Sequence, residues 1–433
     1  MRETSSGEPT KRAATVIIGG GLIGVATLYE LSRRGYPATL IEARSGLAEE
    51  TSYANGGMLT PSMPDPWNGP GVGAHLLESL FDSSSAMKLR WSAIPGLTFW
   101  GLQFLRNSAA SRHNQTVLAN YQLAAYSTQL TERMRIELNL SYCASSLGTL
   151  KIFETAKAMA GPRAMAERLA AYGLNFQPLD AAQTIEIEPQ LSPIRERIAG
   201  SLRFPDDGCG DAHLFTRALA EKAKELGGEI RLSTRAIRLH RQTGRITAVE
   251  TDKGIVPAET IILANGVSAP DLARPLGIRL PIAPAKGYSY TVSSVSLGND
   301  APHVPVIDDA MHAAVVPLGN RLRVVGTAEF AGRNTRIDPA RIENLKRLLA
   351  RLYPNLETRL DRVQGDAWAG LRPMSADGRP IIGASPVNGL WLNCGHGHLG
   401  WTKAAGSAKL LADLILGAST DLDPALFSYL RKS

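Results

Sequence analysis

The chain has 433 residues, 44% of them hydrophobic and 20% charged, a composition that excludes a disordered or fibrous polymer and supplies apolar material for two domains. Basic residues outnumber acidic ones, 47 to 40, but are scattered; the net charge of +7 suits an anionic small molecule or membrane surface and gives no aromatic-laced basic stripe for nucleic acid. Three well-separated cysteines exclude a disulfide framework, and no apolar run reaches the roughly 20 residues that span a bilayer, so the expected location is cytoplasmic or peripheral on the inner face of the cytoplasmic membrane.

Residues 1–12 are polar and read as a flexible tail. Thr15–Ile18 is a β-branched run suited to a buried parallel strand, and from Gly24 to Arg34 the residues Leu28 and Leu31 recur with helical spacing. Gly35 stops that helix, and Ala38–Ile41 restores an apolar strand. Gly19, Gly21 and Gly24 make GxGxxG at the strand-to-helix turn, with Gly20, Leu22 and Ile23 between them. Missing side chains there permit a tight turn, close approach of a pyrophosphate and close packing of helix on strand. Glu42 closes the second strand, followed by Ala43 and Arg44, where a carboxylate can accept hydrogens from the ribose hydroxyls of a dinucleotide. Strand, glycines, helix, strand and terminal acid together predict a dinucleotide site; the motif alone does not separate FAD from NAD.

The stretch "EETSYANGGMLTP" (Glu49–Pro61) then supplies small and polar residues, Thr51, Ser52, Asn55, Gly56, Gly57, Met58 and Leu59, whose backbone can pass close to a ring system. Pro64 to Asn107, with Trp67, Trp91 and Trp100, is expected to form a loop and helices over the cofactor entrance. A strand at Thr260–Leu263 runs into Ala264, Asn265 and Gly266. Tyr288 lies in the apolar strand pattern of "KGYSY", and His312 in that of "MHAAVVP". "HAAVVPL" and "RLRVVGTAEF", joined by Gly319 and Asn320, read as a hairpin of an antiparallel sheet. Near the C-terminus, "NCGHGHLGWTKAAG" places His396 and His398 among glycines without the further ligands a metal would need. Gly395, Gly397, Leu399, Gly400, Trp401 and Thr402 sit at the N-terminus of an apolar helical pattern, where free amides and the positive dipole end attract an anion.

"ETSYANGGM", "PWNGPGV", "GDAHLFTRAL", "PAKGYSYTV", "WAGLRPMSADGRPIIG" and "LWLNCGHGHLGWTKAAGSAKLLADLILG" together resemble the D-amino acid oxidase superfamily of FAD flavoproteins. The resemblance runs through nearly the whole chain and is greatest to the small subunits of bacterial D-amino acid dehydrogenases; the Gly57-Met58-Leu59 ending is similar to glycine oxidases. It implies an α/β (α+β) fold: an FAD-binding, Rossmann-like two-dinucleotide-fold domain from residues 13–63, 192–277 and 364–433, and a mostly antiparallel substrate domain from 64–191 and 278–363. The FAD is expected to be non-covalent, since relatives that attach it use a cysteine beside the position of Leu371. Ala236 and Gly370 are placed with the cofactor residues, and the reduced ring would rest against the amides of the 395–402 loop, with His396 and His398 lining ring or substrate. Arg372 is implied as the anchor of the substrate carboxylate, and His312 is placed on a strand over the flavin face, with a partly exposed strand histidine as the alternative; from its strand pattern Tyr288 is either a further hydroxyl donor to that carboxylate or a core tyrosine. The expected reaction is oxidative deamination of D-amino acids to 2-oxo acids and ammonia, with electrons passed to a quinone or dye-type acceptor. The alternatives are a glycine, sarcosine or D-proline-type secondary amine oxidase or dehydrogenase, and a flavin subunit of a multi-subunit amino acid dehydrogenase.

Overall fold

A computed structural model describes residues 14–73, 87–357 and 364–431; the tail expected at 1–12 lies outside these. Two large sheets organise the chain. The first has six strands in the order Ile381–Ala384, Leu390–Cys394, Thr260–Leu263, Thr15–Ile18, Thr39–Ile41, Glu229–Arg231, and is parallel except at its 381–384 edge. Its strands read as continuous apolar runs because both faces are covered. Ile17, Leu40 and Ile262 point into a core shared with the helices Leu22–Ser32, Ala212–Glu225 and Gly400–Leu416. Val16, Ile18, Ile41, Ile261 and Leu263 point to the opposite core, closed by Leu239 and Val249 of a three-stranded antiparallel sheet.

The second sheet has nine strands and is mostly antiparallel, in the order Asp366–Ser375, Ile282–Ser293, Arg321–Phe330, Ala313–Leu318, Val306–Asp308, Thr149–Phe153, Gly200–Phe204, Gln177–Leu179, with Met87–Leu89 pairing on Arg321–Phe330. Helix Pro339–Leu352 covers one face through Leu345, Leu348 and Leu349, which meet Tyr288, Tyr290 and Val324. The 313–318 and 321–330 strands pair across Gly319 and Asn320 as the sequence predicts, with Gly319 at φ +62°.

The segment boundaries need correction. Asp366–Ser375 and Gly200–Phe204 fall inside the stretches assigned to the cofactor domain, yet both hydrogen-bond within the nine-stranded sheet. Helix Ala110–Glu137, assigned to the substrate domain, sends Leu123, Leu130 and Met134 into the core of the six-stranded sheet. The first helix also begins two residues before the expected Gly24, at Leu22, so Gly24 sits in its first turn.

Candidate active site

A cleft of about 1600 Å³ runs between the two sheets. At one end lies the first glycine turn. Gly19 has φ +116°, and a Cβ there would stand 2.8 Å from the Ala264 carbonyl oxygen, so this turn lies directly against the 264–266 turn. A Cβ at Gly24 would stand 1.8 Å from the Gly19 oxygen; the third glycine is what lets the helix sit on its strand. The helix has Gly21 as N-cap; its Leu22 amide donates to the Ser52 hydroxyl at 3.2 Å, and the positive end of its dipole borders the cleft. Glu42 accepts hydrogen bonds from the amides of Gly20 (2.6 Å) and Arg44 (2.7 Å), which fixes its carboxylate and leaves lone pairs for hydroxyl donors. Arg44 is paired with Glu50. The Asn265 side-chain oxygen is buried without a protein partner at this end. A helix N-terminus, a held carboxylate and an orphaned amide oxygen along one cleft suit a dinucleotide.

Of the residues predicted to bind cofactor, Gly20, Gly24 and Leu59 do not border the cleft. A Cβ at Gly20 would meet Leu47 and Glu42 within 2.8 Å, Gly24 serves packing, and Leu59 is buried in a two-stranded ribbon with Gly208. The others border it, including Ala236, Gly266 and Gly370.

The 395–402 loop, which leaves its strand beside the 264–266 turn, borders the same cleft through Gly395 (φ +73°) and Gly397 (φ +64°), and the helix Gly400–Leu416 begins without a side-chain cap. Thr402 accepts the amide of Thr60 at 3.1 Å, tying loop to helix. Trp401 packs in the core against Tyr142 and Phe215. His396 borders the cleft, and its Nε2 lies 3.0 Å from the Ser407 hydroxyl, so that nitrogen is engaged with the helix. Burial, with the nearby Lys403 charge, pushes its pKa down to about 3. His398 stacks on Trp67, with ring centroids 5.4 Å apart and planes at 20°. Burial, then the Lys403 and Arg372 charges, push it down to about 3 as well, so both imidazoles are neutral at ordinary pH.

Arg372 projects from Asp366–Ser375 onto the cleft wall. Its Nη1 donates to the Thr327 carbonyl at 3.3 Å, and among the described residues no carboxylate pairs with it. Burial alone pushes this guanidinium down to about 10. Several other arginines with little exposure are ion-paired: Arg323 with Asp211, and Arg379 and Arg431 with Asp377. An unneutralised guanidinium on a cleft wall is arranged for a carboxylate from outside the chain.

Two other candidates are placed differently from expectation. The Tyr288 hydroxyl donates to Glu329 at 2.8 Å, inside a buried cluster completed by Lys286 and Arg90, and is not offered to a ligand. Burial and the neighbouring Glu329 carboxylate raise its pKa. His312 precedes the strand in an exposed turn, at φ +48°, and borders the cleft's rim. Sequence reasoning placed Trp67 at the entrance but missed its contact with Arg372, and it missed Gly287 and Thr327. A glycine inside an otherwise apolar strand was the available signal for Gly287.

Residues 14–414 match the family DAO, described as FAD dependent oxidoreductase. The chain is 39% identical over 410 residues to a D-amino acid dehydrogenase of Cereibacter sphaeroides, covering 95% of this chain and 93% of that one. It is 38% identical to a D-amino acid dehydrogenase of Methylobacterium radiotolerans, covering 94% and 96%. Among solved structures, glycine oxidase from Geobacillus kaustophilus superposes with a TM-score of 0.74 at 24% identity, covering 97% of this chain and 100% of that one, a likeness of fold.

Proposed function

This chain belongs to the DAO family of FAD-dependent oxidoreductases, and we propose that within it the protein is a D-amino acid dehydrogenase, oxidising D-amino acids to 2-oxo acids and ammonia. Bound FAD supplies the acceptor for a hydride from the substrate Cα. The chain's residues bind and orient. The positive end of the helix at Leu22 and the amides of the 395–402 loop would hold the cofactor's anionic and polar edges, and Glu42 would take its ribose hydroxyls. Leu371 offers no thiol, and the Cys394 thiol beside the cleft, pushed up to about 12 by burial, stays protonated; both support non-covalent attachment.

Arg372 anchors the substrate carboxylate and so fixes Cα in position for transfer. Hydride loss from Cα needs the amine's electron pair, so the amine reacts in its neutral form. Trp67 and neutral His398 form a flat wall that excludes water. The imine released from Cα hydrolyses in water. Electrons leave to a quinone or dye-type acceptor; among the described residues no helix is long and apolar enough to cross a membrane, so contact with a membrane acceptor would be at its surface.

The observation that carries this reading is the buried, unpaired guanidinium of Arg372 on the cleft wall. Anaerobic bleaching of the flavin should be fast with several D-amino acids and slow with their L-enantiomers, with dye reduction outpacing peroxide formation in air. Faster bleaching by glycine or sarcosine than by any D-amino acid would assign the protein to secondary amine or glycine oxidation instead. Arg372→Leu should keep the flavin spectrum and raise KM for amino acids roughly 100-fold, the scale of a lost charge-assisted pair.

A further inference from the structure

Arg372 lies on its strand opposite Ala285, and its guanidinium reaches diagonally to the next residue of the same face, Gly287. A Cβ placed on Gly287 would stand 2.2 Å from Nη1, 2.4 Å from Cζ and 2.5 Å from Nη2. All three are backed by the bare Gly287 backbone, and any side chain there would displace the whole head group. Against the guanidinium also stands the indole of Trp67, whose ring centre is 5.5 Å from Cζ. Trp67 is itself held by the stack on His398 and by an edge contact with Phe330, with centroids 6.5 Å apart at 89°. The Thr327 carbonyl takes a single N–H bond, leaving most of the five guanidinium donors unused.

Two ways exist to hold a buried arginine head. An ion pair holds it and neutralises it, as Asp211 does for Arg323. A slot of uncharged surfaces holds it and leaves its charge available. We propose that Gly287 and Trp67 form such a slot and are positioning residues for the substrate carboxylate, acting through Arg372. The proposal rests on the reading of Arg372 as carboxylate anchor given above. Its physical content is that the anchor is preorganised by shape and by a cation–π contact, so no internal carboxylate competes with the substrate.

The test uses the purified holoenzyme with D-alanine and with D-alaninamide, which lacks the carboxylate. Gly287→Ala and Trp67→Leu should each keep the flavin spectrum and raise KM for D-alanine by about tenfold, equivalent to about 1.4 kcal/mol. KM for D-alaninamide should move far less, so that the preference for the acid over the amide collapses. Trp67→Phe, which retains an aromatic face, should recover most of that preference. The slot is overturned if Gly287→Ala and Trp67→Leu leave the acid-to-amide ratio at its wild-type value, including the case in which both KM values rise together, which would be general packing damage. Should Gly287→Ala not fold, the two Trp67 variants decide alone. If Arg372→Leu itself leaves that ratio unchanged, the anchor assignment fails and the slot with it, whereas a ratio that collapses in Arg372→Leu but not in the Gly287 and Trp67 variants overturns the slot alone.

Discussion

At the scale of single residues, the site depends on which groups carry charge at working pH. Arg372, pushed down to about 10 by burial, stays protonated until strongly alkaline conditions, whereas His396 and His398, both pushed down to about 3, are neutral far below the usual imidazole range. Hydride loss needs the amine's electron pair, so the substrate ammonium must lose its proton before transfer, and kcat/KM for D-alanine should climb with pH. It should then fall as Arg372 deprotonates near 10, and the descending limb should be absent in Arg372→Leu. His398→Gln should leave the shape of the profile unchanged; an inflexion between about pH 5 and about pH 8 that disappears in this variant would show that the imidazole titrates after all. Arg372 and His398 were legible as candidates from their motifs. Their state was not, because burial and an absent counter-ion are properties of the surroundings. Tyr288 shows the opposite failure: an apolar strand pattern looks the same whether its hydroxyl faces a ligand or, as here, Glu329 on the neighbouring strand.

At the scale of elements, the first strand-turn-helix separates packing from binding within one motif. At Gly24 a Cβ would collide with the Gly19 carbonyl at 1.8 Å, while at Gly21 it would meet only the Ser52 hydroxyl at 3.6 Å. Gly24→Ala should therefore destabilise the apoprotein, by about 1–3 kcal/mol as other overpacked sites do, visible as a lowered Tm without FAD. Gly21→Ala should leave the apoprotein Tm close to wild type and weaken FAD binding, because its added methyl faces the cleft. Equal Tm losses in the two variants would contradict this division. The element was readable because its signals are local: glycines, apolar periodicity and a terminal acid within some thirty residues. Asp366–Ser375 was assigned to the wrong sheet for the converse reason. Its partner Ile282–Ser293 is remote in sequence, and strand pattern alone does not name a partner. His312 was read as a strand residue from its apolar neighbours, although a left-handed backbone puts it in the preceding turn.

For the whole molecule, the cleft takes walls from both sheets, and helix Ala110–Glu137 ties a segment between strands of one sheet to the core of the other. Cofactor and protein stability are therefore linked. Free FAD at 100 times its dissociation constant should add about 2.7 kcal/mol to unfolding and raise Tm by a few degrees, in a single transition followed equally by flavin release and by circular dichroism. Flavin release well below the main transition, with the Tm of the remainder unchanged by FAD, would show that the cleft is not shared in this way. Trp67 belongs to this scale too: its significance comes from residues drawn together from three distant parts of the chain, Phe330, Arg372 and His398, and no local pattern announces it.

The two glycine-rich loops proposed to hold the dinucleotide, near Gly19 and near Gly397, are separated by most of the polypeptide. On the ribosome, the nucleotide turn emerges early and has to wait for its distant counterpart before both ends of the ligand can be gripped. Loading with FAD is consequently a late event in the life of each new molecule, and a shortage of the vitamin from which it is made would be met by chains already complete but unfilled.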